Sequence, residues 1–376
     1  MRTQVAIVGG GPAGLMLGRL LDLRGIESVI LEARDREYVQ QRVRAGVLEQ
    51  ATMDLMDEVG LGERMHAEGL VHEGVELRFD GEGHRIALSD LTGGRAITIY
   101  GQQEVVKDLI EARIGSKLPL HFEVSDVKVD PEQGTVTYTH QGDQHRLEAD
   151  LIAGCDGFHG VCRPTIQDVL TVYEREYPFG WMGILAECAP SSHELIYAHH
   201  ERGFALASMR SHAITRMYLQ CAPDAEPLPD EEIWDELDLR FGMEVNRGPI
   251  FEKGVTPMRS FVVEPMQHGK LYLAGDAAHI VPPTGAKGLN TAMADVALLA
   301  SSFGNEAALQ AYTQRALERV WRVQHFSYWM TSMLHRMSDD PFETQIQRSQ
   351  LRYTVSSQAQ ATALAENYVG LPFITA

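Results

Sequence analysis

Val5, Ala6, Ile7 and Val8 form an unbroken apolar run that ends at Gly9-Gly10-Gly11-Pro12-Ala13-Gly14. Leu15, Leu17, Leu20, Leu21 and Leu23 follow with broadly helical spacing, and Ser28-Val29-Ile30-Leu31 is a second short apolar run closed by Glu32. Short continuous runs of this kind predict strands buried on both faces. Two more occur later: Leu151-Ile152-Ala153 runs into Gly154-Cys155-Asp156-Gly157, and Leu271-Tyr272-Leu273-Ala274 into Gly275-Asp276. Between them the pattern turns to alternation, with strands predicted over 194–198, 204–210 and 214–221. Apolar helices are predicted over 291–300 and 316–337.

The first of these stretches carries chemistry. Strand, glycine turn, helix, strand and terminal acid make up the whole Rossmann fingerprint, with Gly9, Gly11 and Gly14 in the G-x-G-x-x-G positions. Glycine there lets backbone N–H groups at a helix start approach a pyrophosphate, and the helix dipole favours that charge. Glu32 stands where an acid accepts hydrogen bonds from an adenosine ribose. An ADP moiety is expected here, with FAD and NAD(P)H equally compatible on these residues alone.

The composition removes other classes. The chain has 376 residues, 44% hydrophobic and 23% charged, enough to bury a large core. Its net charge of −19 argues against nonspecific binding to nucleic acid or to an anionic membrane. No apolar run approaches the roughly 20 residues that cross a bilayer. The N-terminus leads directly into a strand without a signal-peptide pattern, and Cys155, Cys162, Cys188 and Cys221 form no CxxC pair, so a cytoplasmic protein with free thiols is expected. His193-Glu194 with His199 lacks metalloprotease spacing, and no metal site is expected.

The alternating strands can be read for register. If Ser211-His212-Ala213 is a three-residue hairpin loop without a bulge, Arg210 pairs with Ile214 and Ser208 with Arg216. Side chains at every second position share a face, so Ser208, Arg210, Arg216 and Tyr218 point the same way. Two guanidiniums, a hydroxyl and a phenol on one face imply an anionic ligand or structural ion pairs with Asp or Glu. Arg210 could grip a carboxylate through two parallel hydrogen bonds.

Taken together, these motifs resemble the FAD-dependent aromatic hydroxylases (class A flavoprotein monooxygenases), and within them the branch acting on 4-hydroxybenzoate. The resemblance runs through Arg42-Val43-Arg44-Ala45-Gly46-Val47-Leu48-Glu49-Gln50, Leu70-Val71-His72-Glu73-Gly74, Gly154 to Gly160, Arg259 to Gly269, Ala274 to Asn290 and Glu366 to Pro372. Segments near 116–146, 224–248 and 301–309 diverge and are expected at the surface. The resemblance implies an α/β protein: a Rossmann-type FAD-binding fold, an inserted mixed β-sheet substrate domain and a C-terminal helical region. The expected partition is 1–72, 98–175 and 255–300 for FAD, 73–97 and 176–254 for substrate, and 301–376 for a helical region at a homodimer interface. Trp321, Phe326, Tyr328 and Trp329 within it read as core.

The resemblance also implies roles. Glu32 holds the adenosine ribose, Asp276 the ribityl chain, and Arg42, Arg44 and Gln102 the pyrophosphate or flavin chain. Asp156 and Arg216 are further cofactor residues, and Gly288, Leu289 and Asn290 meet the flavin ring edge. Ser208, Arg210 and Tyr218 hold the carboxylate of 4-hydroxybenzoate, and Pro283 turns its carbonyl to the substrate hydroxyl. Tyr197 and Tyr368 pass the proton of that hydroxyl towards a solvent-near His72, whose pKa suits the outer position. Arg34, Arg42, Arg44, His159, Arg163 and Arg259 are expected to meet NADPH or NADH as co-substrate. The implied reaction uses dioxygen and gives 3,4-dihydroxybenzoate, through a flavin hydroperoxide attacking the substrate phenolate. The same chemistry on another hydroxybenzoate, or a non-catalytic FAD-dependent sensor of aromatic acids, are the alternatives.

Overall fold

A computed structural model of the chain describes residues 1–42 and 46–374. Arg44, expected at the pyrophosphate and the nicotinamide, lies outside the described residues.

The apolar runs become neighbouring parallel strands of one sheet. Arg2–Val8 lies between Ser28–Leu31 and Asp143–Gly154, with Val5 beside Ser28 and Leu151, and Leu271–Leu273 follows on the far side of Asp143–Gly154. Both faces of these strands are covered, which is why their sequences run apolar rather than alternating. Helix Pro12–Asp22 packs on the sheet through Leu15, Met16, Leu17, Leu20 and Leu21. Its approach depends on glycine: a Cβ at Gly14 would stand 2.0 Å from the Gly9 carbonyl oxygen. Gly9 itself has φ +106°, and a Cβ there would meet the Cys155 carbonyl at 2.3 Å.

A second sheet of eight strands carries the alternating segments, and a three-stranded sheet contributes Leu70–His72 and Ile97–Ile99. Thr171–Ala186 and Ile250–Glu264 pair antiparallel over almost their whole length. Each is a single strand that runs through an expected domain boundary, at 175/176 and 254/255. The second sheet is thus joined to the region of the first by a continuous two-stranded ribbon.

The hairpin register is as expected. Ser208 pairs with Arg216 and Leu206 with Tyr218, and the Arg210 N–H donates to the Ile214 carbonyl at 2.8 Å. On the neighbouring strand Leu195–Ala198, Tyr197 lies opposite Leu206. Tyr197, Leu206 and Tyr218 therefore form one row across the sheet.

Helix Tyr312–Leu334 bridges both regions. The Gln324 side chain donates to the Ile280 carbonyl, and Thr331 bonds to Thr284. Phe326 is core as expected, but Trp321 and Tyr328 are 42% and 38% exposed and correct that reading; Trp329 is half-buried. Their helix turns only part of its aromatic face inward. The divergent segments are not merely surface either. Val136 and Tyr138 are buried in a hairpin on the first sheet, and Ile233, Trp234, Leu237 and Phe241 of helix Asp230–Phe241 build a separate core under the second.

Candidate active site

The glycine turn leaves an open cradle. Gly11 caps helix Pro12–Asp22 with no side-chain hydrogen bond, and Pro12 occupies the first turn. A Cβ on Gly11 would meet nothing within 4 Å, unlike one on Gly9 or Gly14. The free N–H groups of that turn suit a phosphate anion. Glu32 curls back to this turn, accepting from the Gly10 N–H at 2.6 Å and from the Arg34 N–H at 2.8 Å. Its oxygens keep lone pairs for a ribose hydroxyl. Asp276 is exposed in the turn Gly275–Ala277, where a Cβ on Gly275 would touch Ala13 and Ala292 of the two flanking helices. Helix Gly288–Ser302 likewise starts without a side-chain cap, and Gly288 faces open space. These residues fit a dinucleotide with a flat ring system.

Two expected cofactor residues also brace the backbone around them. Asp156 accepts through Oδ2 from the Cys162 N–H at 2.9 Å, while its buried Oδ1 has no hydrogen-bond partner among the described residues. Asn290 is buried, accepting from the Glu49 N–H and the Thr52 hydroxyl and donating to the Val47 and Ala286 carbonyls. It fixes the loop before the helix rather than reaching outward. Gln102 is half-buried at the start of helix Gln102–Gly115, and Arg42 is exposed. Leu289 is half-buried against the flavin-side core.

One cavity gathers Tyr197, Ser208, Arg210, Arg216, Tyr218 and Pro283 with Val47, Trp181 and Ala286. Arg210 lies four residues beyond Leu206, the partner of Tyr197, so their Cα atoms are roughly 13–14 Å apart along the sheet. The cavity thus has a cationic end and a phenolic end, with apolar walls between. Burial, followed by repulsion from Arg216, pushes the Arg210 guanidinium down to about 10. That is the mark of a cation that gains from an incoming anion. Arg216 lies 5.1 Å over the Tyr218 ring, and its buried Nε and Nη1 have no hydrogen-bond partner among the described residues. Ala286, on the cavity wall, is held at φ +55°, a strained backbone for a residue with a Cβ.

Tyr197 and Tyr368 are each 1% exposed and hydrogen bond through their hydroxyls. Burial raises both pKa values, and the shared hydrogen bond pulls Tyr368 back down. His72 departs from expectation. It is 1% exposed rather than solvent-near, neither ring nitrogen has a hydrogen-bond partner among the described residues, and burial pushes it down to about 4. Its place in a short strand paired with Ile97–Ile99 encloses it.

A buried charge cluster that the sequence pattern does not announce lies around Lys287. Lys287, 2% exposed, donates to Glu49 at 2.6 Å and to the Asn367 and Tyr368 carbonyls. Arg319 reaches the other Glu49 oxygen at 3.3 Å. A lysine set in Gly285-Ala286-Lys287-Gly288 looks like a loop residue, and only the small residues around it hinted that the chain is packed there. His279 and Asp295 form a second buried pair at 2.7 Å, with Asp295 also accepting from the Gly275 N–H. Burial works to lower the His279 pKa, but Asp295 and its hydrogen bond outweigh it and the net shift is upward.

The expected nicotinamide residues split into two groups. Arg163 stacks on Phe158 and Phe261, Arg259 lies 5.1 Å over Phe158, and His159 meets Phe158 edge-on. Arg259 is partly neutralised by Glu174 and Glu176. Arg34 and Arg42 belong to a different element, flanking the short helix Arg36–Gln41, where Arg34 packs on Tyr38.

An FAD binding domain family matches residues 2–327. The p-hydroxybenzoate hydroxylase of Acinetobacter baylyi is 47% identical over 389 aligned positions, covering 99% of this chain and 96% of that protein. The chain belongs to the FAD-dependent aromatic hydroxylases. As a member of that family it is a flavoprotein monooxygenase. More distantly, the dialkyldecalin synthase of Streptomyces rugosporus is 27% identical over 78% of this chain and 64% of its own length. The structure of p-nitrophenol 4-monooxygenase PnpA from Pseudomonas putida DLL-E4 superposes with a TM-score of 0.81 at 18% identity, covering 97% of each chain. That likeness speaks to the fold. Among the described residues, no helix is long and apolar enough to cross a membrane, and no cluster of three or more His, Cys, Asp or Glu could hold a metal ion.

Proposed function

We propose that this hydroxylase converts 4-hydroxybenzoate and dioxygen to 3,4-dihydroxybenzoate at the expense of NADPH or NADH. The observation that carries the reading is the two-ended cavity: Arg210 with Ser208 towards one end, the Tyr197–Tyr368 pair at the other. The 47% identical relative named p-hydroxybenzoate hydroxylase supports the same substrate.

FAD, when bound, takes hydride from the nicotinamide and activates oxygen. Gly9, Gly11 and Gly14 admit its pyrophosphate, Glu32 its ribose, Asp276 its ribityl chain, and the start of helix Gly288–Ser302 its ring edge. Arg210 receives the substrate carboxylate through two parallel N–H donors, an arrangement lysine cannot supply. Ser208 and Tyr218 add hydroxyls to the same oxygens. At the far end the Tyr197 hydroxyl bonds to the substrate hydroxyl, opposite the Pro283 carbonyl. A simple phenol resembles tyrosine, with a pKa of about 10. Tyr197 and Tyr368 give its proton a route out of the cavity, so the ring can react as the more nucleophilic phenolate. His72 extends that route as a neutral acceptor, with no direct hydrogen bond to either tyrosine in the present arrangement. Val47, Leu195, Leu206 and Met209 keep the ring dry.

His159, Arg163 and Arg259 around Phe158 form the nicotinamide-facing surface in this reading, with Arg34 and Arg42 on a second segment. A homodimer is part of the same proposal; the exposed pair Tyr173 and Trp321, in edge-to-face contact, offers it an aromatic patch. Crystals of the FAD-loaded enzyme soaked with 4-hydroxybenzoate test the site. The carboxylate is expected on Arg210 and the hydroxyl on Tyr197; an acid lying elsewhere overturns the reading.

A further inference from the structure

The end of helix Tyr312–Leu334 is fastened to the substrate sheet by two adjacent side chains. Trp181 and Gln220 are directly opposite each other on antiparallel strands and so share a face. The Trp181 indole N–H donates to His335 Nε2 at 2.7 Å. The Gln220 amide donates to the Arg336 carbonyl at 2.8 Å and accepts from the Arg336 N–H at 3.0 Å. His335 is 0% exposed, stacks on Phe204 and Phe179 at 4.2 and 4.8 Å, and lies within 7° of the indole plane.

The chemistry of the pair fixes its own geometry. An indole N–H can only donate, so His335 Nε2 carries a lone pair and the ring proton sits on Nδ1. That proton is given to the Thr331 carbonyl at 2.9 Å. Burial pushes His335 down to about 3, which keeps it in the neutral, accepting form. The other side of Trp181 packs 4.7 Å from the Tyr218 ring at 47°, and both line the substrate cavity, which His335 does not reach.

We propose that His335 is a positioning residue for aromatic-acid binding: it sets the indole of Trp181, which in turn holds Tyr218 under the Arg216 guanidinium in the cavity. The inference rests on the cavity being the 4-hydroxybenzoate site. It adds to that reading a residue outside the cavity and a helix end that sets the tightness of substrate binding.

Five FAD-loaded proteins test it: wild type, His335→Phe, Trp181→Phe, their double variant and His335→Gln. Removing the acceptor leaves a buried N–H unpaired, and His335→Phe is expected to raise the Kd for 4-hydroxybenzoate about tenfold with kcat within about twofold. In the Trp181→Phe background the same change is expected to add less than about twofold, because its effect runs through the indole. The ligand-free Trp181 indole N–H resonance, one of four tryptophan signals, moves upfield in His335→Phe. It returns towards its wild-type position in His335→Gln, whose amide oxygen can accept. A wild-type Kd in His335→Phe, or equal losses in both backgrounds, overturns the proposal. If His335→Phe does not fold, His335→Gln decides: binding close to wild type is expected, and binding as weak as in Trp181→Phe overturns it. A wild type that fails to bind 4-hydroxybenzoate counts against the substrate reading alone, and the indole resonance still decides whether His335 sets Trp181.

Discussion

The hydroxyls of Tyr197 and Tyr368 are hydrogen bonded although 171 residues separate the two in the chain. Tyr197 belongs to a strand of the substrate sheet, Tyr368 to the C-terminal helix Gln358–Val369. The C-terminal helix therefore reaches a residue that lines the cavity. Tyr197→Phe is expected to bind substrate and reduce flavin while hydroxylation falls on the order of a hundredfold, within the usual range for a proton-transfer group. Tyr368→Phe should follow in the same direction. Product formed per NAD(P)H oxidised checks this: the ratio falls in both variants while peroxide rises.

Arg210 answers a different question. Arg210→Ala removes the charge partner of a buried carboxylate, a loss of roughly 2–5 kcal/mol. KM for the aromatic acid should rise accordingly, by about thirtyfold or more. Arg210→Lys should recover little, since a point charge cannot make the paired contact. Steady-state kinetics at fixed NAD(P)H reads both.

His72 makes the fold sensitive to acid. Its folded pKa of about 4 lies below the ordinary 6.5. Between these values the unfolded chain binds a proton that the folded chain refuses, so stability rises with pH across that window. The contribution is fully present above pH 6.5 and is lost as pH falls towards 4, on the order of 3 kcal/mol at its limit. Urea unfolding at pH 7.5 and pH 5 should show the loss in wild type, and His72→Gln should reduce it. His335 acts in the same direction through a pKa of about 3.

The Lys287–Glu49 pair is buried at 2% and 3% side-chain exposure. Glu49 also holds Arg319, so Glu49→Gln strands two buried cations and should lose about 3–5 kcal/mol of stability, whereas Lys287→Met leaves the Arg319–Glu49 pair and should lose less. Glu49→Gln combined with Lys287→Met should lose less than the two single changes added together. Equilibrium unfolding of the three variants measures the coupling.

What could be read from the sequence was what is local. The glycine turn after Val8 and the acid at Glu32 declare themselves because strand, turn and helix are contiguous and each needs its own residue type. The pairing of Ser208 with Arg216 was legible because a three-residue loop leaves one register. The meeting of Tyr197, Pro283 and Tyr368 came from family resemblance, since contacts across as many as 171 residues leave no mark in spacing. The enclosure of His72 was misjudged because burial in a short strand depends on what other segments cover it. Trp181 and His335, 154 residues apart, went unnoticed for the same reason, and Lys287 hid behind the look of a loop.

The most direct measurement mixes the FAD-loaded enzyme with NAD(P)H, oxygenated buffer and 4-hydroxybenzoate, and identifies and counts the products. The account predicts 3,4-dihydroxybenzoate in near one-to-one ratio with the nicotinamide consumed. Nicotinamide oxidation that yields only hydrogen peroxide, or no turnover at all, would contradict it.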